Sequence, residues 1–328
     1  MAIKILVHLS RLFVGGMFVF SGFVKLVDPI GSQFKFEEYF SEAVLNITFL
    51  EPYALQFSIL LIIAEIMLGV TLLLGFKPKI TVWSLFGLTV IFLFLTLYSA
   101  VTGQVTDCGC FGDAIKLTPW ETFWKNVILI ALIVLLLIRL KDIQQILPKK
   151  ITITVSLICL LSFSYITYYV LNHLPIIDFR AYAIGKSIPE GMEVPQEELE
   201  KDPYAMPKVK DFVLEDTQND LTQDILSEEK VMLIVVYKIE KADEEGFVAV
   251  KKVADEAISK GYKVYGATSS FGDELILVQN KYDLPFEFLF GDGTMLKTTI
   301  RANPGIMTLS KGTVTGKWNW TDANEVKL

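Results

Sequence analysis

Cysteine is scarce in this chain: three residues in 328, too few for a disulfide framework to hold a fold together. Histidine is scarcer still. His8 and His173 lie at opposite ends of the apolar half of the sequence, so they cannot share a metal or a haem, and neither a metal nor a cofactor is expected. Basic runs are missing too. Nothing longer than a Lys-Lys pair occurs and the net charge is −7, which excludes the electrostatic footprint of a nucleic-acid partner. No A-x-A-like cleavage site follows the first apolar stretch, and Arg11 interrupts it. That stretch therefore reads as a retained anchor and not as a removed signal peptide.

What is abundant is apolar sequence. Hydrophobic residues make up 52% of the chain, and nearly all of the excess precedes His173. Crossing a bilayer takes about 20 apolar residues as a helix. Five segments meet that length: Ile3 to Leu26, Ala54 to Phe76, Ile80 to Val101, Thr122 to Leu140 and Ile151 to Asn172. The partner they demand is the lipid bilayer. Lysine and arginine in short loops set the expected orientation. Lys77 and Lys79, then Arg139, Lys141, Lys149 and Lys150, fall in one set of connections. The other set carries Asp28, Glu37, Glu38, Glu42 and Glu51 against Lys35, then Asp107 and Asp113 against Lys116. This places the N-terminus in the cytoplasm and everything after His173 outside it, which in a bacterial inner membrane means the periplasm.

Local features go beyond hydropathy. Phe36, Tyr39, Phe40 and Leu45 recur at helical spacing among acids, as in a short amphipathic helix that lies on the membrane or packs as a lid. Gly15, Gly16, Ser21 and Gly22 give the first span a small face for close helix approach. Glu65 sits near the middle of the second span, where a carboxylate needs a partner, and Arg11 is the expected one. A buried ion pair or hydrogen bond that fixes register is the plainer role; proton relay or ligand binding is the other. The second outer loop reads Asp107-Cys108-Gly109-Cys110-Phe111-Gly112-Asp113, followed by Thr118, Pro119 and Glu121 as a capping box with proline at the first helical position. Two cysteines one residue apart can close a small, strained disulfide, with Gly109 allowing the turn. Such bonds are easily reduced. The pair could also hold a metal, but no histidine is near to complete a site. The flanking acids argue against a strongly activated thiol. Cys159, alone in the fifth span, reads as a packed apolar residue.

The stretch from Arg11 through Gly22 to Lys25, the Glu65 to Leu74-Gly75 span and the Cys-Gly-Cys-Phe-Gly loop before a helix resemble the DoxX/MauE group of small bacterial membrane proteins. The resemblance covers roughly the first 140 residues. It implies a four-helix core and an association with envelope thiol–disulfide or electron-transfer systems. With its fifth span, its outer domain, Asp178-Phe179-Arg180 and Ile188-Pro189-Glu190-Gly191-Met192, the whole chain looks like the long DoxX-type proteins of Bacteroidota.

Beyond His173 the composition becomes that of a soluble chain. A linker rich in proline and glutamate is expected to about Lys208. Strands are expected at Val231 to Tyr237, Tyr262 to Thr268, Phe286 to Phe290, Ile306 to Ser310 and Thr313 to Trp318. Helical segments are expected at Asp243 to Lys260, Phe271 to Lys281 and Thr294 to Arg301. This alternation makes a central sheet with helices on both faces. The order, with Asn303-Pro304-Gly305 before a strand, resembles a thioredoxin-like domain of the peroxiredoxin and periplasmic thiol-reductase branch. The resemblance implies an opening strand at Asp211 to Leu214 and a cis proline at Pro304. The Cys-x-x-Cys of a redox thioredoxin is replaced by Tyr237-Lys238-Ile239-Glu240-Lys241-Ala242-Asp243-Glu244, and no cysteine follows Cys159. That domain cannot do thiol chemistry alone. A groove at Asn303 and Pro304 could bind an extended partner, and Trp318 and Trp320 are candidates for an interface, the core or a membrane-facing surface.

The expected architecture is thus an α-helical membrane bundle, a four-helix DoxX-like core plus a fifth transmembrane helix, followed by an α/β thioredoxin-like periplasmic domain. The expected boundaries are 1–145 for the bundle, 146–173 for the fifth helix, 174–208 for the linker and 209–328 for the outer domain. Two functions stand side by side. In one, Cys108 and Cys110 cycle between dithiol and disulfide as part of a redox-associated accessory subunit, the only enzyme chemistry in view. In the other, the chain is a non-catalytic scaffold of an envelope complex and its outer domain binds a protein partner. A lipid or quinone in the bundle near Glu65 is a third idea.

Overall fold

A computed structural model describes residues 2–105, 107–202 and 205–328 and divides the chain into two compact units, 1–171 and 172–328. The first unit is helical. It contains α1 (Ala2–Val27), α2 (Pro29–Phe40), α3 (Ala54–Leu74), α4 (Pro78–Thr102), α5 (Pro119–Ile138) and α6 (Lys149–Asn172). Among the described residues, five helices are long and apolar enough to cross a membrane, all but α2. At most a third of each apolar window is buried inside the protein. Most of that surface therefore faces outward, where only lipid tails satisfy it.

Glycine sets the spacing of α1 and α3. A Cβ built on Gly69 would sit 2.8 Å from the Gly15 carbonyl oxygen and 2.9 Å from the Val19 amide nitrogen. Both are backbone atoms and cannot swing aside, so the two backbones touch here as small-residue packing requires. Replacing Gly69 with Val is expected to cost about 1–3 kcal/mol or more, the range for an overpacked core. Gly16→Ala, where nothing lies within 4 Å of the added carbon, is expected to be neutral or mildly stabilising. Thermal midpoints in mild detergent distinguish the two.

Asp28 accepts from the Gly31 amide at 2.9 Å and Pro29 occupies the first turn, so α2 starts and stops earlier than its apolar spacing suggests. Tyr39 and Phe40 are buried and pack with Phe36, Val105 and Leu95. Phe57 of α3 meets Phe36 and Phe40 edge-on or tilted. This helix is a lid on the bundle. The α6 helix joins through Phe163 and Ile166 against Leu26, Ile62 and Ile66. Cys159 on α6 is half-buried and free.

The second unit is α/β. Its elements are α7 (Ile188–Met192), α8 (Gln196–Lys201), α9 (Thr222–Ser227), β1 (Val231–Val236), α10 (Glu244–Ser259), β2 (Lys263–Thr268), α11 (Asp273–Tyr282), β3 (Phe288–Phe290), α12 (Gly293–Thr299), β4 (Gly305–Ser310) and β5 (Thr313–Asn319). The sheet order is β3-β2-β1-β4-β5. Strand β2 runs parallel to both β1 and β3, while β4 is antiparallel to β1 and β5. Every residue of β1 is buried, the mark of a central strand covered on both faces. Alternation sends Val231, Leu233 and Val235 into one core with Phe212, Leu289 and Leu296, and Met232, Ile234 and Val236 into another with Phe247 and Val250 of α10.

Two expectations change. The stretch 174–208 is not merely a tether. Tyr182 and Ile188 are buried in the sheet's core, and residues 185–188 pair with the edge of β5, the Gly185 amide donating to the Val314 carbonyl at 2.8 Å. Asp211 to Leu214 does not form a strand. Asp211 has φ +54, which breaks extended backbone, and only Glu215 bridges to Phe290. Phe212 and Leu214 are nevertheless fully buried.

Candidate functional site

Antiparallel packing fixes which polar groups meet. Each step up α1 is matched by a step down α3, with Gly15 beside Gly69 and Gly22 beside Glu65 and Ile66. By that register Arg11 reaches the far end of α3, so it does not pair with Glu65. Its Nε donates to the Leu72 carbonyl at 2.8 Å, Nη2 to Leu73 at 2.6 Å and Nη1 to Gln144 at 2.9 Å. Arg11 thus caps the orphan carbonyls of a helix end, next to Gly75 in the left-handed conformation. The expected Arg11–Glu65 pair is corrected on this ground: the two residues are at different depths.

The partner of Glu65 is Lys25. Lys25 Nζ donates to both carboxylate oxygens, at 3.0 and 2.8 Å, and both side chains are buried. Lys25 also donates to Ser21 Oγ, one turn earlier on α1, at 2.8 Å. Ser21 Oγ in turn lies 2.8 Å from the Cys110 carbonyl oxygen as its donor. A line of contacts therefore runs from the carboxylate in the bundle to the backbone of the cysteine turn. A signal for Lys25 was present in the sequence, since Ser21 and Lys25 share a helix face four residues apart. The offset between helices was not.

The turn itself is locally determined. The Asp107 carboxylate accepts from the Gly109 amide at 2.9 Å. Gly109 and Gly112 take φ of +64 and +50, which a side chain would resist. Thr118 and Glu121 form the expected capping box and Pro119 opens α5. Phe111 is buried, tilted against Phe20 at 5.5 Å, with Lys125 Nζ 4.5 Å from its ring centre.

Cys108 and Cys110 are both free thiols, so the expected disulfide is not formed. Their surroundings differ. Cys108 lies against the hydroxyls of Tyr39 and Ser99, which are themselves 3.2 Å apart. Burial, and secondarily Cys110, pushes the Cys108 thiol up from its ordinary range. Burial does the same to the Tyr39 phenol. Cys110 instead lines a small cavity inside the bundle with Ser21, Glu65, Phe111, Lys125 and Asn126. Asn126 Nδ2 donates to Thr96 Oγ1 at 3.4 Å across the α4–α5 contact. None of Lys125, Asn126 and Ser99 stood out in the sequence, and Tyr39 did so only as part of an amphipathic stripe, because each is an ordinary residue until helices bring it to the turn.

In the second unit the Asn303–Pro304 peptide is cis. Asn303 donates to the Lys238 carbonyl at 2.8 Å, and its own carbonyl accepts the Asp243 amide at 3.2 Å. Both Asn303 and Pro304 are buried, so they do not line an open groove. Trp318 and Trp320 pack against the α10 side of the core. Among the described residues, no three His, Cys, Asp or Glu side chains gather as a metal site.

Compared with known proteins, residues 3–139 match the family described as methylamine utilisation protein MauE. No curated protein and no solved structure matches the chain.

Proposed function

We propose that this membrane protein, MauE-like over its first four spans, takes part in thiol–disulfide exchange at the periplasmic face of a bacterial inner membrane. The observation that carries the reading is a turn bearing two free thiols, hydrogen-bonded through Ser21 to a buried Lys25–Glu65 pair. The loop charges support an N-terminus in the cytoplasm and a periplasmic turn and C-terminal domain. A parallel β1-β2-β3 run with antiparallel β4 and β5 and a cis proline before β4 supports a thioredoxin-like domain. Lacking cysteine, that domain serves to engage the partner.

The exchange is a pair of substitutions at sulfur. The Cys110 thiolate attacks one sulfur of a partner protein's disulfide. A Cys110–partner bond forms, the partner's bond breaks, and its second sulfur leaves as a thiolate. Cys108, once deprotonated, attacks Cys110, forming the Cys108–Cys110 bond and releasing the partner dithiol. Two electrons pass to the partner. Closing the ring requires Cys108 to leave Tyr39 and Ser99.

Cys108→Ser is expected to trap a Cys110 mixed disulfide, seen as a reducible adduct after acid quench and alkylation in cells. Cys108→Ser combined with Cys110→Ser is expected to abolish it. If the double variant leaves every partner's thiol state unchanged, exchange is wrong. The scaffold reading then takes its place, favoured by the absence of cysteine from the whole second unit.

A further inference from the structure

We propose that the outer face of α11 is a dimerisation surface, on which a second copy of this chain lays its own α11 antiparallel, the two Leu277 side chains meeting at the two-fold axis. The proposal stands apart from the thiol chemistry and uses none of its residues.

Helix α11 is only half committed to its own fold. Leu275, Val278 and Tyr282 are partly buried against the α10 side of the core, and no residue of the helix is fully buried. A helix packed by one stripe ordinarily turns polar residues outward. This one turns out Ile276 and Leu277, which are 59% and 66% exposed. Phe271, just before the helix, is 69% exposed and stacks on Phe290 at 4.4 Å. Single apolar residues scattered on a surface are ordinary. Three large ones gathered between positions 271 and 277 make a patch, and an apolar patch with a polar rim marks an interaction site.

The charges around the patch identify what covers it. At about 3.6 residues per turn, Asp273, Leu277 and Lys281 fall within one outward stripe, and all three are exposed. The leucine lies midway, with acid at the start of the helix and base at its end. Such a helix is its own complement when reversed. With Leu277 on a two-fold axis, Asp273 of one copy faces Lys281 of the other, and the same pair recurs across the axis. Glu274 faces Asn280 in the same way. This is the isologous arrangement of a closed dimer. The apolar centre supplies attraction, and the charges fix orientation and register: a parallel pairing would set acid on acid and lysine on lysine. Lys281 also bonds Glu244 at 2.9 Å, with its side chain 55% exposed. An ammonium has hydrogens to spare for a second carboxylate.

A lipid surface fits this face less well. Helices that lie on a bilayer carry lysine and arginine beside their apolar stripe, whereas Asp273 and Glu274 flank this one. A single helix pair is a small contact beside the standard interface of about 1,600 Å². The dimer is therefore expected to be reversible in detergent and favoured where two chains share one membrane, which raises their effective concentration.

The register is tested in the full-length chain with Cys108, Cys110 and Cys159 changed to serine, reconstituted in liposomes. Leu277→Cys is expected to form a disulfide-linked dimer on oxidation with copper phenanthroline. Asp273→Cys and Lys281→Cys chains are expected to link poorly alone and to link to each other when reconstituted together. In mild detergent, analytical ultracentrifugation of the chain with its native cysteines is expected to show a monomer–dimer equilibrium. Leu277→Asp, which puts two carboxylates on the axis, is expected to weaken it about tenfold or more, and Asp273→Lys is expected to weaken it in the same direction. Asp273→Lys combined with Lys281→Asp restores it, which a folding defect would not do. These side chains are exposed, so thermal midpoints are expected to stay at the parent's value. A dimer indifferent to Leu277→Asp, or a charge swap that restores nothing, overturns the proposal. So does a chain that stays monomeric in liposomes. A nitroxide on Leu277→Cys relaxed by oxygen and shielded from a nickel chelate would then give the face to the bilayer.

Discussion

Lys25→Met is expected to destabilise the bundle by about 3–5 kcal/mol, because it removes the ammonium that both oxygens of a buried carboxylate accept from. The Glu65 side chain is 1% exposed and takes both its strong contacts from Lys25. Arg11, at a different depth, is engaged by the Leu72 and Leu73 carbonyls at the end of α3 and by the Gln144 carbonyl. Methionine keeps the length of the lysine stem, so packing against α3 survives while the charge is lost. The double variant Lys25→Met with Glu65→Leu is expected to regain most of the loss, since a buried pair replaced by apolar groups of similar size is often neutral. Thermal unfolding in mild detergent reads both. A single variant as stable as the parent would show that the pair does not carry the α1–α3 contact. The cysteine turn gives a second readout. With Ser21 no longer held by Lys25, its bond to the Cys110 carbonyl is expected to loosen and the turn's amides to exchange faster.

The second large effect lies in the α/β unit. Asp178 Oδ1 accepts from Arg180 Nε at 2.6 Å, and Oδ2 accepts from Arg180 Nη2 at 2.9 Å and Lys317 Nζ at 2.7 Å. Both cationic side chains are 2% exposed. Asp178→Asn would leave two buried cations without their shared anion, at an expected cost of about 3–5 kcal/mol. Burial by itself pushes the Asp178 carboxyl up, but Arg180 and Lys317 outweigh it and hold it at about 2 against an ordinary 3.8. A carboxylate lowered on folding contributes stability that is present above the unfolded value and is lost as pH falls toward the folded one. Lys317 is pulled down to about 7 from 10.5, by burial first and then by Arg180. Between those values the unfolded chain holds a proton that the folded chain releases, so stability rises with pH across that window. The deficit of Asp178→Asn is therefore expected to be largest below neutral pH and smaller at alkaline pH, where Lys317 is neutral. Hydrogen exchange of β1 and β4 amides in the full-length chain measures it. A deficit that does not change with pH would deny Lys317 its part.

Much of the architecture was legible. The five spans were found because bilayer thickness imposes a length that hydropathy reads directly. From Val231 onward the expected strands and helices lie within a few residues of the observed ones, because β1 is apolar throughout and α10 carries apolar residues at helical spacing. The capping box before α5 is a local signature and was found. The Glu65 partner is not legible in the sequence because depth along two antiparallel helices depends on their mutual offset, which Gly15, Gly22 and Gly69 set by close contact. Proline and glutamate make 174–208 read as a tether, although two of its residues, Tyr182 and Ile188, are core. Two isolated apolar residues give no periodic signal.

By itself the sequence determined where apolar runs are long enough to span lipid, where strands and helices alternate, and that no thiol is available after Cys159. These follow from properties of the chain's own neighbours along its length. Only the tertiary structure decided that Glu65 meets Lys25, that Arg11 caps a helix end, and that Cys108 and Cys110 face different surroundings. Those outcomes depend on how far one helix slides and turns against another, and that is set by backbone contacts between residues far apart in the chain.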